Sequence, residues 1–163
     1  MTAVIGAEVA VDALRPEDRE ALDQFFDLCS RLTIYRRFFA PVQRFPDTYL
    51  DAVLAAPRSV HDGVVARCGD ERDIVGLASL AAMPDEPRVG ELGVVVADAW
   101  QGQGLGRAMV ARLVDRARVR GVRRLTASVL SERVSLLGSL SRTLELTAMS
   151  EQPDYTTAVY RLP

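Results

Sequence analysis

The chain has 163 residues, of which 48% are hydrophobic and 26% are charged, so we expect one globular domain spanning residues 1–163. Its 20 basic residues, all arginine, are balanced by 22 acidic ones, which excludes the global positive charge that attracts nucleic acid or an anionic membrane. A single histidine and two cysteines without CxxC spacing predict no metal site and two free thiols in a reducing compartment. The chain shows neither a signal-like start nor an apolar run of membrane-spanning length, so we expect a cytoplasmic protein.

The first third of the chain predicts a strand followed by two helices. Residues 4–14 alternate loosely between apolar and polar side chains, which is typical of a strand. Pro16 suits the first turn of a helix, and apolar side chains then recur at helical spacing until Pro41, with Cys29 on the apolar stripe. A second, shorter helix is predicted over residues 46–54, because proline opens it.

The remainder of the chain predicts five strands and two helices. Short polar or proline-rich breaks separate three strand-like runs, as expected for antiparallel hairpins. An amphipathic helix followed by a glycine, a strand, a second helix and a closing strand come next. In chain order these elements cover residues 59–68, 74–83, 88–97, 105–120, 123–130, 132–144 and 155–162. The predicted fold class is therefore α/β, with a mixed, mostly antiparallel sheet and helices on both faces.

Three glycines at alternate positions stand between an apolar strand and the amphipathic helix. Gly102, Gly104 and Gly106 let the backbone bend sharply and approach a ligand without interference from a Cβ atom. The first amides of a helix have no acceptor within it, and the helix dipole adds positive charge, so this segment predicts a phosphate site. Arg107 supplies a further cation. A P-loop would need Lys and then Ser or Thr after its last glycine, and a dinucleotide fingerprint would need glycine at position 107; neither is present.

The run of residues 91–106, ELGVVVADAWQGQGLG, resembles the signature of GCN5-related N-acetyltransferases, in which Gln or Arg is followed after two residues by Gly-x-Gly or Gly-x-Ala. Gln101, Gly104 and Gly106 match that signature position by position. The resemblance implies the family's acyl-CoA N-acyltransferase fold, with a bulged fourth strand and a splayed strand pair, and an acetyl-CoA cofactor. It also implies which residues bind that cofactor: the main chain of Val94, Val95 and Val96 for the pantetheine arm, and Gln101, Gly102, Gln103, Gly104, Leu105, Gly106 and Arg107 for the pyrophosphate.

An amine acceptor needs help to lose its proton, because a lysine-like amine has a pKa of about 10.4 and is almost wholly protonated near pH 7. Glu91 is the candidate general base, since it shares one face of the implied cofactor-binding strand with Gly93 and Val95, and similar Pat-type enzymes have a Glu base there. No residue pattern indicates covalent catalysis, so direct attack in a ternary complex is predicted. The helix predicted over residues 132–144 lacks the tyrosine that the family often uses as an acid, and Arg133 or a neighbour replaces the family's asparagine.

The sequence leaves more than one possibility open for the acceptor and for the partners of the protein. Residues 32–39, LTIYRRFF, resemble a segment of Pat-type bacterial protein lysine acetyltransferases, and they are equally consistent with aromatic packing. A protein lysine is slightly favoured over a small-molecule amine, and either a monomer or a homodimer is compatible with the chain. The rival hypotheses are a catalytically weak acyl-CoA-binding sensor or interaction module, and a structural domain without a nucleotide. Four arginines fit either the 3'-phosphate of the cofactor or a solvated helix face: Arg112, Arg116, Arg118 and Arg120.

Overall fold

The computed structural model describes residues 2–4, 7–69 and 72–163, with side chains described from residue 8 onward. Its strands are β1 (Thr2–Val4), β2 (Ala7–Ala13), β3 (His61–Cys68), β4 (Asp73–Ala82), β5 (Val89–Val96), β6 (Arg124–Leu130), β7 (Glu145–Glu151) and β8 (Tyr155–Arg161). Its helices are α1 (Arg19–Asp27), α2 (Arg31–Phe38), α3 (Asp47–Ala55), α4 (Leu105–Val119) and α5 (Ser135–Leu140), with 3₁₀ turns at Pro16–Asp18, Asp98–Trp100 and Ser131–Arg133. The strands form one sheet in the order β1-β2-β3-β4-β5-β6-β8-β7.

Neighbouring strands in this sheet are antiparallel, with one exception. β5 and β6 run parallel, because the chain leaves the end of β5, crosses over through α4 and returns to begin β6 beside the start of β5. The predicted mixed, mostly antiparallel sheet is confirmed.

The parallel pair parts halfway along its length. Residues 89–92 of β5 pair with residues 124–127 of β6. Both strands are described in full, and no pair joins them beyond Leu92, although β5 continues to Val96. β6 stays paired with β8 as far as Leu130. The splayed strand pair is confirmed, and the space between the two strands is called the gap below.

The resemblance to the family implied a bulge in the fourth predicted strand, which is β5. This prediction is wrong. The register between β4 and β5 runs without a shift from the pair Ala82–Gly90 to the pair Gly76–Val96. β4 therefore holds β5 along its whole length, and the strands part on the opposite edge without an extra residue in β5.

Helices pack on both faces of the sheet, as predicted. On one face, α4 and α5 bury Met109, Leu113 and Leu137. On the other face, α1 buries Leu22 and Phe25, with α3 beside it. Each such side chain contributes about 1.5–3 kcal/mol when it is fully removed from water. The two cores clamp the sheet, so β5 and β6 have fixed positions on either side of the gap.

The helix predicted from residue 16 to residue 40 is divided in two. α2 begins after Ser30, whose Oγ accepts a hydrogen bond from the N–H of Thr33 at 3.2 Å. This side-chain cap favours a new helix start in the middle of a run with helical periodicity. Cys29 consequently lies in the turn between α1 and α2, which corrects its placement on a helical stripe, and Leu32 is exposed.

The two ends of the chain differ from the prediction. The helix predicted over residues 132–144 is shorter, since α5 has six residues, and β7 follows it unpredicted. Every residue of β7 is exposed and its sequence, ELTAMSE, has no apolar alternation, so its strand structure depends on pairing with β8. The strand predicted over residues 4–14 corresponds to β2, and β1, which was not predicted, pairs with it; residues 5 and 6 lie outside the described residues.

A buried carboxylate fixes the far end of α4. Asp62 is fully buried and accepts hydrogen bonds from Arg116 at 2.7 and 3.0 Å and from Arg120 at 2.9 Å. Burial alone would raise the pKa of Asp62, but the hydrogen bonds and charges of Arg116 and Arg120 outweigh burial and lower it. Two of the four arginines considered for the 3'-phosphate are therefore occupied by this internal ion pair.

No helix in the described parts of the chain combines the length and the apolar character needed to cross a membrane. Across the same residues, no three His, Cys, Asp or Glu side chains come together in a group that could hold a metal ion. Cys29 and Cys68 are free and half-buried, as predicted.

Candidate active site

The glycine loop, residues 101–107, joins β5 to α4 through two glycines in the left-handed region. Gly102 has a φ of 74°, and Gly104, the N-cap of α4, has a φ of 85°. Residues with side chains rarely adopt these conformations. A Cβ atom at either position would meet no atom within 4 Å, so the backbone conformation, and not crowding, requires glycine here.

The loop leaves amides at the start of α4 without a helical acceptor. The first helical bond runs from the N–H of Ala108 to the carbonyl of Gly104 at 3.0 Å, so the N–H groups of Leu105, Gly106 and Arg107 precede it. The first turn carries no acidic side chain, and that of Arg107 is exposed. This helix start thus offers the free amides, the dipole and the cation that attract an anion.

Gln101 fastens the loop to its surroundings. Its Nε2 donates to the carbonyl of Val96 at 3.0 Å and to Oγ1 of Thr33 at 3.1 Å. Nearby, the N–H of Ser30 donates to Asp98 at 2.8 Å, and this hydrogen bond lowers the pKa of the Asp98 carboxyl. The loop and the start of α2 are thereby held together. The side-chain nitrogen of Gln101 is engaged by protein partners, and its main-chain N–H donates to the carbonyl of Asp98 at 3.3 Å, so neither donor is free for the predicted cofactor contact.

The backbone groups of β5 alternate between β4 and the gap. The N–H of Ala97 donates to Val75 at 2.9 Å, and the carbonyl of Val89 accepts from the N–H of Met83 at 2.9 Å. Hydrogen-bonded pairs alternate along an antiparallel ladder, so the odd-numbered residues of β5 exchange bonds with β4. The even-numbered residues point their N–H and C=O groups toward β6.

Beyond Leu92, the even-numbered residues of β5 have no partner among the described strands. The N–H and C=O of Val94 and the N–H of Val96 consequently face the gap, while the C=O of Val96 accepts the bond from Gln101. Val95 exchanges its bonds with β4 instead. Of the three valines predicted to contact the pantetheine arm, two present main-chain groups to the gap and Val95 does not.

Glu91 lies on the face of β5 that α2 covers. It is exposed, and its cross-strand neighbours are Ala81 on β4 and Thr126 on β6. The last pair between β5 and β6 comes one residue later, so Glu91 stands where the gap opens. Two residues further along, Gly93 lies on the same face beneath the side chain of Arg37.

Other ionisable side chains in the described residues have shifted pKa values or occupied hydrogen-bonding groups. Burial, and secondarily the charge of Arg37, lowers the pKa of His61. Burial raises the pKa of Cys29 to about 12, so its thiol is not a nucleophile. α5, which is described in full, contains no tyrosine, and the hydroxyl of Tyr160 donates to the carbonyl of Leu137 at 2.6 Å inside the core.

Several residues that build the site were not identified from the sequence. Thr33 and Asp98 fasten the glycine loop to α2, and Tyr49 shares a 2.8 Å hydrogen bond with Ser79 on the same face as Glu91. Their partners are 68 and 30 residues away, so no spacing rule could pair them. Trp100 packs against both cores beside the loop, and His61 is the first residue of β3.

A model of the acetyltransferase (GNAT) family matches residues 23–136, from within α1 to the start of α5. The match includes β5, the gap and the glycine loop. An acetyltransferase of Pseudomonas aeruginosa is 29% identical over 159 residues, which cover 96% of this chain and 84% of that protein.

Solved structures share the fold. The GNAT domain of S. lividans PAT has a TM-score of 0.86 at 20% identity, covering 99% of this chain and 95% of that domain. yncA from Salmonella typhimurium, solved with its cofactor acetyl-CoA, has a TM-score of 0.75 at 20% identity, with coverages of 95% and 94%. A phosphinothricin acetyltransferase from Sinorhizobium meliloti, in complex with acetyl-CoA, has a TM-score of 0.73 at 14% identity, with coverages of 94% and 88%.

Replacing Gln101 by Leu removes both bonds that join the loop to β5 and α2. At roughly 1 kcal/mol per hydrogen bond, we expect the free energy of unfolding to fall by about 2 kcal/mol. Gln103→Leu is the matched control, because Gln103 makes one exposed bond, to the carbonyl of Ala99 at 3.3 Å, and its loss should cost less. Urea unfolding of both variants measures the difference. Equal losses of unfolding free energy in the two variants would show that Gln101 does not hold the loop in place.

Proposed function

The chain belongs to the acetyltransferase (GNAT) family, and we propose that it transfers the acetyl group of acetyl-CoA directly to a primary amine, with Glu91 as the general base. Membership of the family makes it an acetyl-CoA-dependent N-acyltransferase. One observation carries the rest of the proposal. The gap leaves main-chain groups of Val94 and Val96 without a strand partner, immediately before the free amides of the glycine loop.

The two ends of coenzyme A fit these two features. The amides from Gly102 to Arg107 bind the pyrophosphate, since a helix start with no acidic side chain stabilises an anion. Val94 and Val96 bond the amide groups of the pantetheine arm, which takes the place of the missing strand. Gln101 holds the loop in position. The main chain of Val95 remains bonded to β4, and we assign it no contact with the cofactor.

Glu91 takes a proton from the acceptor, directly or through one water molecule. The neutral nitrogen then attacks the thioester carbonyl carbon and forms the new N–C bond, while the C–S bond breaks with its electron pair leaving on sulfur. The nitrogen releases its second proton to solvent, and the thiolate takes up a proton from solvent. A base is needed because a lysine-like amine has a pKa of about 10.4, and general-base assistance is worth roughly 10² to 10⁴ in rate. The exposure of Glu91 and its place where the gap opens support this role.

The leaving thiolate departs without an acid from α5, which carries no tyrosine. A thiol has a pKa of about 8.5, so the thiolate of coenzyme A is a tolerable leaving group. We therefore expect slower turnover than in an enzyme with a positioned acid.

A protein lysine is slightly favoured over a small-molecule amine as the acceptor. The run that resembles Pat-type protein lysine acetyltransferases forms α2, which covers the face of β5 that carries Glu91. α2 also exposes Leu32 and Tyr35, at 51% and 42% of their surface, which suits contact with a second protein.

A second candidate function is an acyl-CoA-binding sensor or interaction module with weak chemistry. The absence of a tyrosine from α5 favours it. Binding of acetyl-CoA without release of thiol in the presence of any amine would support the sensor, and turnover would exclude it.

Gly104→Asp places a carboxylate at the proposed pyrophosphate site. Gly121→Asp is the matched control, because Gly121 follows the other end of α4, has the same φ of 85° and has equally open surroundings. One repelled charge should weaken coenzyme A binding at least about tenfold. Thermal unfolding with increasing coenzyme A measures this, since binding raises Tm. Equal protection of both variants would place the nucleotide elsewhere.

Glu91→Gln removes the proposed base while keeping the size of the side chain. We expect kcat to fall by roughly 10² to 10⁴, with the affinity for coenzyme A unchanged. Release of free thiol from acetyl-CoA measures kcat, and calorimetry measures the affinity. Glu145→Gln is the control, since Glu145 is exposed on β7 and pairs with Arg161 at 3.2 Å, away from the gap. If both variants turn over alike, Glu91 is not the base.

A further inference from the structure

Arg37 lies in the last turn of α2 and places its guanidinium on β5. A Cβ atom at Gly93 would lie 2.8 Å from Nε of Arg37 and would collide with Cζ and Nη2, so the guanidinium occupies the space of a side chain at position 93. The rings of Phe38 and Tyr49 flank it, with their centroids 4.8 and 5.1 Å from Cζ. Because Gly93 has no side chain, the guanidinium of Arg37 can lie directly on β5, on the same face as Glu91.

The guanidinium of Arg37 has no acceptor of its own in the described part of the chain. Its neighbour Arg36 reaches Glu132 at 3.7 Å, whereas neither an ion pair nor a side-chain hydrogen bond joins Arg37 to another described residue. Arg37 is half-buried, and none of its guanidinium nitrogens is among the fully enclosed nitrogens without a partner, so they remain accessible to solvent. Five N–H donors in a planar fork are therefore available to an anion.

These donors lie close to the proposed base. Gly93 and Glu91 share one face of β5, and two residues along a strand span about 6.7 Å. Of these two residues, Gly93 lies in the stretch of β5 that has separated from β6, whereas Glu91 lies in the stretch that is still paired. Arg37 also contributes, after burial, to the lowered pKa of His61, while Asp62 acts in the opposite direction.

From this geometry we infer that Arg37 binds a carboxylate of the acceptor, so that the acceptor is a primary amine with an anionic group about 6 to 7 Å from its nitrogen. The inference rests on the proposed function, whose acceptor site it divides into an amine end at Glu91 and an anion end at Arg37. The fork of a guanidinium binds a carboxylate through two parallel hydrogen bonds. A free ω-amino acid and a peptide with Glu beside its Lys both supply this chemistry.

Acceptor binding tests the inference without requiring turnover. Protein saturated with coenzyme A is titrated calorimetrically with 5-aminopentanoate and with pentylamine, which differ by the carboxylate. A second pair consists of lysine peptides with Glu or Gln beside the lysine. We expect the carboxylate-bearing member of at least one pair to bind about 10- to 100-fold more tightly, as for a hydrogen-bonded charge pair. The pair that shows the preference identifies the source of the carboxylate.

Three variants assign that preference to Arg37. Arg37→Gln should abolish it and leave the affinity for the carboxylate-free member within about twofold, whereas Arg31→Gln, which removes an exposed charge from the first turn of α2, should retain it. Gly93→Ala keeps the charge but displaces the guanidinium, and it should also abolish the preference. It replaces Arg37→Gln if circular dichroism shows that variant to be unfolded.

The outcomes separate this inference from the proposed function. No carboxylate preference in either pair, or equal losses for both members of a pair in Arg37→Gln, would overturn the role of Arg37 and reduce it to packing. A carboxylate preference in binding without release of thiol from acetyl-CoA would overturn the proposed function and leave the anion site standing.

Discussion

The parting of β5 from β6 after Leu92 is the constraint on which the rest of the structure depends. A strand inside a sheet normally has both rows of its backbone groups bonded, and a buried group left unpaired costs roughly 1–3 kcal/mol. Here β5 is paired with β4 from Gly90 to Val96, and β6 is paired with β8, so the two strands that border the gap have fixed positions. The open row of N–H and C=O groups is therefore preorganised for a ligand that can replace a strand.

The glycine loop and α2 form one unit beside that gap. Gln101 bonds β5 and Thr33, and Asp98 bonds the amide of Ser30, so the loop proposed to receive the pyrophosphate also fixes the start of α2. α2 in turn places Arg37 over Gly93, on the face of β5 that also carries Glu91. In the proposed account, the cofactor end and the acceptor end of the reaction share this scaffold, and the loop positions both.

Features governed by local spacing could be predicted from the sequence. The glycine loop, the amphipathic α4, the shared face of Glu91 and Gly93 and the mostly antiparallel sheet all follow from periodicity and turn chemistry. Features that depend on distant partners could not. The helix break at Ser30 is completed by Asp98, 68 residues away, Arg116 and Arg120 pair with Asp62 over 54 and 58 residues, and β7 exists through pairing with β8. The position of Arg37 could not be predicted, because Arg37 lies on α2 whereas the glycine that makes room for its guanidinium lies on β5, far along the chain.

Amide hydrogen exchange of β5, read residue by residue with and without coenzyme A, tests the central claim most directly. The account predicts that Val95 is protected in the free protein, whereas the amides of Val94 and Val96 exchange quickly and become protected when coenzyme A fills the gap. Protection of Val94 and Val96 in the free protein, or no gain of protection on binding, would contradict it.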